Sequence, residues 1–177
     1  MHHQAAPGDD LSGAGIWVQV PTRAWFAAVS LGVAGLVAAG MALQQLVRIA
    51  PCPLCIAQRA LYLVIALLAL GGVLWPRAAR LWLAAIAVPS LSGLAIAGYQ
   101  SWMQAYPHLA PECSYTDPNL IERAVDWLGM QWPSLFLATG FCSSRDWEFL
   151  GGSLANWSLL VFATLVAWTV MFWRRGR

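Results

Sequence analysis

The sequence predicts an all-α membrane protein, a four-helix transmembrane bundle with a long outer loop that contains a short amphipathic helix. Three observations lead there. Of 177 residues, 59% are hydrophobic and 10% charged, and the mean hydropathy of +0.60 lies far outside the range of water-soluble domains. Four runs are long and apolar enough to cross a hydrocarbon core, which takes roughly 20 helical residues at about 1.5 Å each. None of the four alternates with period two, and in lipid only helices or closed barrels satisfy every backbone group. The net charge of +2 is too small to recruit nucleic acid, and that class of partner is set aside.

The elements follow in order. Residues 1–23 read as a cytoplasmic N-terminal tail, of which 1–20 are polar and glycine-rich and expected to be disordered. His2, His3 and His108 receive no role. The spans are Ala24 to Val47, Ile56 to Trp75, Leu81 to Tyr99 and Leu154 to Trp173. The first carries small residues in VAAGM that suit a signal-peptide cleavage site, but its apolar run exceeds a typical h-region, so it is expected to be retained. Every basic residue is arginine. Arg23, the pair Arg77 and Arg80, and the cluster Arg174, Arg175 and Arg177 fall on one side of a four-span chain, which the positive-inside rule makes cytoplasmic. Residues 24–173 then form a single transmembrane domain with outer loops at about 48–55 and 100–153, and residues 174–177 a cytoplasmic C-terminus. The long loop has Glu112, Asp117, Glu122, Asp126, Asp146 and Glu148 against Arg123 and Arg145. All four cysteines lie on the outer side.

Within the long loop, DPNLIERAVDWLG reads as a helix capped by Asp117, with Pro118 at its first position and Gly129 at its end. Leu120, Ile121, Ala124, Val125 and Leu128 make one apolar face. The following MQWPSLFLATGF, with Trp127 and Trp132, is apolar for a solvated loop; it either lies on the membrane surface or packs on the helix ends. Tryptophans near the span ends form an ordinary aromatic belt.

Four cysteines in an oxidising compartment allow three pairings, and the sequence alone does not choose among them. Cys52 and Cys55 are near enough to close on each other, in a ring that holds little chain entropy and tends to be reducible. Cys113 and Cys142, 142 − 113 = 29 residues apart, would form the second pair, and by themselves they read as well as a structural staple. A zinc site would want a second closely spaced pair or histidines in register, so no metal is expected. In APCPLCIAQR, Pro53 suits the first turn of a helix, which places Cys52 at the cap and Cys55 in that turn. Free N–H groups and the positive end of the helix dipole favour a thiolate there. Arg59 follows one turn deeper on the same face. An arginine at that depth either snorkels, as Arg48 also would, or holds negative charge at Cys55 and on something bound beside it. Gln44 and Gln45 end the first span at the same level and read equally as hydrogen-bond donors to a carbonyl or as plain interfacial glutamines. A dithiol at this depth suits a lipid-soluble electron acceptor.

These residues carry a resemblance over about 24–173. PCPLCIAQR enters the second span, a lone cysteine in PEC follows the third, and FCSSRDWEFLG leads to the fourth. In this combination the chain resembles the DsbB family, bacterial inner-membrane disulfide bond formation proteins that reoxidise the periplasmic thiol oxidase DsbA. The resemblance implies catalytic roles for Cys52, Cys55, Cys113 and Cys142. The reduced DsbA-type partner would attack the Cys113–Cys142 disulfide at Cys113, and exchange with Cys52 and Cys55 would follow through a transient Cys142–Cys52 link. It implies a membrane quinone near Cys55, Arg59 and Gln44, ubiquinone in the first place and menaquinone as the alternative. The redox balance is a known property of this pathway. With DsbA at about −120 mV, an acceptor near −200 mV would leave transfer uphill by roughly 3 to 4 kcal/mol. Two other readings remain. A vitamin K epoxide reductase-like enzyme would carry its CxxC after the loop pair, the reverse of the order here. A non-enzymatic scaffold shaped by disulfides leaves Arg59 without a purpose.

Overall fold

The computed structural model describes residues 22–109, 118–145 and 147–175. Residues 1–21 of the N-terminal tail, Glu112, Cys113, Asp117, Asp146 and Arg177 lie outside them, while Thr22 and Arg23, expected in the tail, begin the first helix. Among the described residues four helices have the length and apolar composition to cross a membrane: α1 (Thr22–Val47), α2 (Pro53–Leu74), α3 (Ala79–Ala105) and α6 (Leu154–Arg175). A single 3-10 turn, Pro76–Ala78, joins α2 to α3. Between α3 and α6 come α4 (Leu120–Gln131), the one-turn α5 (Pro133–Phe136) and a hairpin of β1 (Glu148–Phe149) and β2 (Gly152–Ser153). The expected all-α four-helix bundle is therefore what forms. The helices start or end a few residues from the expected positions, most of all α3, which runs on from Tyr99 to Ala105.

Helix α1 packs on α2, α2 on α3, and α3 on α6. Glycines let aromatic rings sink between the helices, the usual means of close approach in lipid. A Cβ on Gly72 of α2 would stand 2.7 Å from the Phe26 ring, and one on Gly93 of α3 would overlap the ring of Phe162. Phe162 in turn stacks on Tyr62 with centroids 4.3 Å apart. Pro89 interrupts α3. Its ring leaves the Ala85 carbonyl without a helical donor, and beside it the Ser90 hydroxyl donates back to the Ile86 carbonyl at 2.8 Å, a bond that keeps the hydroxyl satisfied within α3. Leu31, Leu67, Leu81 and Leu160 point outward and are exposed, as a lipid-facing surface requires.

Two expectations about the long loop are corrected. Asn119 caps α4, not Asp117. Its side-chain oxygen accepts from the N–H groups of Ile121 and Glu122 at 2.9 and 3.0 Å, and Glu122 accepts from the Asn119 N–H at 2.8 Å, a complete capping box. Gly129 does not end the helix, which continues to Gln131; a Cβ there would stand 3.0 Å from the Phe136 carbonyl oxygen. Packing on the helix ends is seen for part of the apolar stretch. Val125 and Phe136 pack on Ile56 and Ala57 of α2, while Leu120, Trp127, Met130 and Trp132 are exposed. The hairpin turns on Leu150 and Gly151, both at positive φ (51° and 76°), the geometry of a two-residue turn that matches strand twist.

Candidate active site

The site forms where α2 begins. Cys52 is the N-cap of α2 and Pro53 its first residue, as the spacing predicts. The Cys55 N–H donates to Cys52 Sγ at 3.2 Å, one of the orphan donors of the first turn. The two cysteines are free thiols, and Cys52 donates to Cys55 Sγ across 2.8 Å. That hydrogen bond, with burial and the proximity of the second sulfur, holds the Cys52 thiol well above the ordinary thiol range, which corrects the expectation of a favoured thiolate at this cap.

The sulfurs are held by residues that the sequence reading did not single out. The Gln100 amide nitrogen donates to both, at 3.2 Å to Cys52 and 3.1 Å to Cys55. Gln100 is itself oriented by Gln58, whose amide donates to its carbonyl oxygen at 2.7 Å. Both glutamines are buried. A buried amide with a hydrogen-bonded partner is inexpensive, whereas an orphaned one costs about 1 to 3 kcal/mol. The available signal was an amide at the edge or inside of an apolar run, which reads equally as an interfacial residue.

Arg59 is partly buried one turn below Cys55. It takes no carboxylate among the described residues. Instead Nη1 donates to the Leu135 carbonyl and Nη2 to Gln44 Oε1, each at 2.6 Å. One guanidinium thereby joins α2 to the end of α1 and to α5. The structure thus brings Cys52, Cys55, Arg59 and Gln44 together. A cavity of about 460 Å³ opens beside them, walled by α1 from Leu36 to Gln44 and by α6 from Leu154 to Val161, with Tyr62 at its depth. Its lining is mostly apolar, with polar groups gathered at the sulfur end. That is the pattern of a small-molecule site, and the volume falls in the usual range. Arg59 and the Gln44 amide are the donors suited to a carbonyl oxygen, next to a sulfur able to give electrons. Gln45 and Arg48 do not line this cavity; they border a second one of about 350 Å³ that shares Gln44 and Arg59.

Cys142 approaches from the loop. It is fully buried, disulfide-bonded, and clustered with Cys52, Leu54 and Met103. Neither Cys52 nor Cys55 is its partner, and Cys113 lies outside the described residues. Three of the four predicted cysteines therefore share one apolar cluster, with Cys55 at its edge. Such an arrangement of two free thiols beside a disulfide sulfur can exchange thiol for disulfide with little movement.

Comparison with known proteins agrees with this chemistry. The family described as Disulfide bond formation protein DsbB matches residues 22–172. The chain is 59% identical over 157 residues to Disulfide bond formation protein B of Dechloromonas aromatica (strain RCB), covering 89% of this chain and 95% of that protein. It is 41% identical over 160 residues to the protein of the same description from Azoarcus sp. (strain BH72), covering 88% and 95%. For that of Verminephrobacter eiseniae (strain EF01-2) the figures are 38% over 153 residues, with 84% of each chain covered.

Proposed function

The chain belongs to the DsbB family of disulfide bond formation proteins, and from that membership we propose that it oxidises a DsbA-type dithiol protein and passes the two electrons to a membrane quinone. The setting is the bacterial inner membrane, with both termini cytoplasmic and the cysteines periplasmic. The observation that carries the reading is the dithiol of Cys52 and Cys55 at the polar end of an otherwise apolar cavity, between Gln100 on one side and Arg59 on the other.

The steps assigned to this chain are thiol–disulfide exchanges. A thiolate of the reduced partner attacks Cys113 of a Cys113–Cys142 disulfide, forming a mixed disulfide and releasing Cys142 as thiolate. Cys142 attacks Cys52 of the oxidised Cys52–Cys55 pair; the Cys142–Cys52 bond forms as the Cys52–Cys55 bond breaks, and Cys55 leaves as thiolate. The second thiol of the partner resolves the mixed disulfide at Cys113, and the partner departs oxidised. Cys113 then attacks Cys142, regenerating the loop disulfide and leaving Cys52 and Cys55 reduced, the state in which the structure has these two thiols. A quinone, when bound, supplies the two-electron sink that reoxidises this pair. Arg59 and the Gln44 amide would hold its carbonyl side, and the apolar wall between α1 and α6 would keep water from the sulfur. Ubiquinone is the proposed species, menaquinone the alternative.

The deciding experiment follows quinone reduction optically with purified protein and a reduced DsbA-type donor, beside Cys55→Ser and Cys113→Ser. Reduction by the unmodified chain and by neither variant is expected. No quinone consumption by a chain with intact disulfides would sink the reading in favour of a scaffold.

A further inference from the structure

Cys142 is pinned on both sides, upstream to the segment that carries Cys52 and downstream to α3 and the start of α6. On the upstream side the N–H groups of Thr139 and Gly140 both donate to the carbonyl of Pro51, at 2.9 and 3.0 Å. Pro51 immediately precedes Cys52. Gly140 comes so near that a Cβ on it would overlap the carbonyl oxygen of Ala50, which is backbone and cannot swing aside. Cys142 itself lies in a turn closed by the Ser144 hydroxyl, which donates to the Phe141 carbonyl at 2.9 Å. On the downstream side the Ser144 carbonyl accepts from the Gln104 amide at 3.0 Å. The Gln104 carbonyl oxygen accepts from the Ser153 hydroxyl at 2.5 Å. Ser153 precedes α6 and also accepts from the Asn156 N–H at 3.4 Å. Gln104 and Ser153 are both buried. The downstream anchor is thus fixed to α3 and to the start of α6, two helices that pack on each other.

We infer that Gly140 and the Gln104–Ser153 pair are positioning residues that hold Cys142 against Cys52, so that disulfide exchange between the loop and the start of α2 needs no loop closure. The inference rests on the exchange route given above. In that step the Cys142 thiolate attacks Cys52 Sγ, one sulfur–sulfur bond forms as another breaks, and Cys55 carries the electron pair away; no outside oxidant enters. A loop of this length without anchors would present its cysteine at a low effective concentration. Fixing the reacting atoms in near-attack geometry is how such intramolecular steps gain rate. The anchors restrain the Cys142 side of the loop and leave open where Cys113 goes once the partner has attacked it.

The test isolates this geometry from turnover. In a Cys55→Ser, Cys113→Ser background only Cys52 and Cys142 remain. The fraction of Cys52–Cys142 disulfide is then read by non-reducing peptide mapping across glutathione buffers of graded ratio, which yields the effective concentration of one thiol toward the other. Adding Gly140→Ala is expected to lower that value by about tenfold or more, and Ser153→Ala by several-fold. Ser153→Thr, which retains the hydroxyl, should restore it relative to Ser153→Ala. An unchanged value in Ser153→Ala, or in a folded Gly140→Ala, overturns the inference. If Gly140→Ala fails to fold, the Ser153 series decides alone. Quinone reduction by the unmodified four-cysteine chain is measured in parallel. Its absence would remove the functional reading while the effective concentrations still report on the anchors.

Discussion

Arg59 sits beside Cys55 with two hydrogen bonds and no carboxylate among the described residues, so its charge is available to a bound acceptor. Arg59→His shortens the side chain and removes the fork of donors. It should raise the apparent KM for quinone by about tenfold or more while all disulfides still assemble, since a hydrogen bond to a charged group contributes about 1.5 to 3 kcal/mol. Steady-state quinone titration checks it, and an unchanged KM would remove Arg59 from the acceptor site. For Cys52 the relevant form is the thiolate, the only reactive one. Because its thiol is held well above the ordinary range, its reactive fraction stays small through neutral pH and grows only under alkaline conditions. Iodoacetamide labelling of the reduced chain, resolved by peptide mapping, should show a Cys52 rate still rising above about pH 10, where an ordinary thiol near 8.5 has levelled off. A plateau at the ordinary value would contradict it. Cys52, Cys55 and Arg59 were legible because their spacing, one helical turn from each to the next, is itself the arrangement. Gln100 was not, because its contact with the sulfurs spans 45 residues of sequence and depends on how α3 lies against α2.

At the level of elements, the spans were legible because lipid demands long apolar helices, and the ends were not because hydropathy stops where burial does not. The helix α3 continues through Gln100 and Gln104, polar residues that end an apolar run on paper yet are buried in the bundle. The cap of α4 was misplaced by two residues. Asp117 and Asn119 are both good caps, and only the reciprocal bond from Glu122 separates them. The hairpin at 148–153 has strands of two residues, too short for any alternating pattern. Packing between elements makes its own prediction. Phe162 is fully buried and stacked on Tyr62, so it has little room to retreat from a side chain on Gly93. Gly93→Ala should destabilise the bundle by about 1 to 3 kcal/mol, the range for overpacking. Gly98→Ala, whose Cβ would meet only Leu159 at 3.7 Å, should be close to neutral. Reversible unfolding in mixed micelles would compare them, and equal stabilities would show that α3 and α6 separate more easily than their packing implies.

For the whole molecule, the arginine distribution sets an orientation that a labelling experiment can check. In chains whose native cysteines are replaced, Arg80→Cys should react with an impermeant maleimide only after permeabilisation, and His108→Cys before it; the reverse order would invert the proposed topology. The large cavity was not legible at this scale, since no single run contains it. It exists because the order of packing leaves α1 and α6 to wall it from opposite sides. Near their far ends the rings of Trp25 and Phe172 stand 5.0 Å apart and bring the same two helices together. Toward the cysteines the same two helices stand far enough apart to hold the cavity between them. A guest beside Cys55 would touch α1 and α6 at once, so the room at the sulfurs is set by the spacing of two helices that meet at their opposite ends.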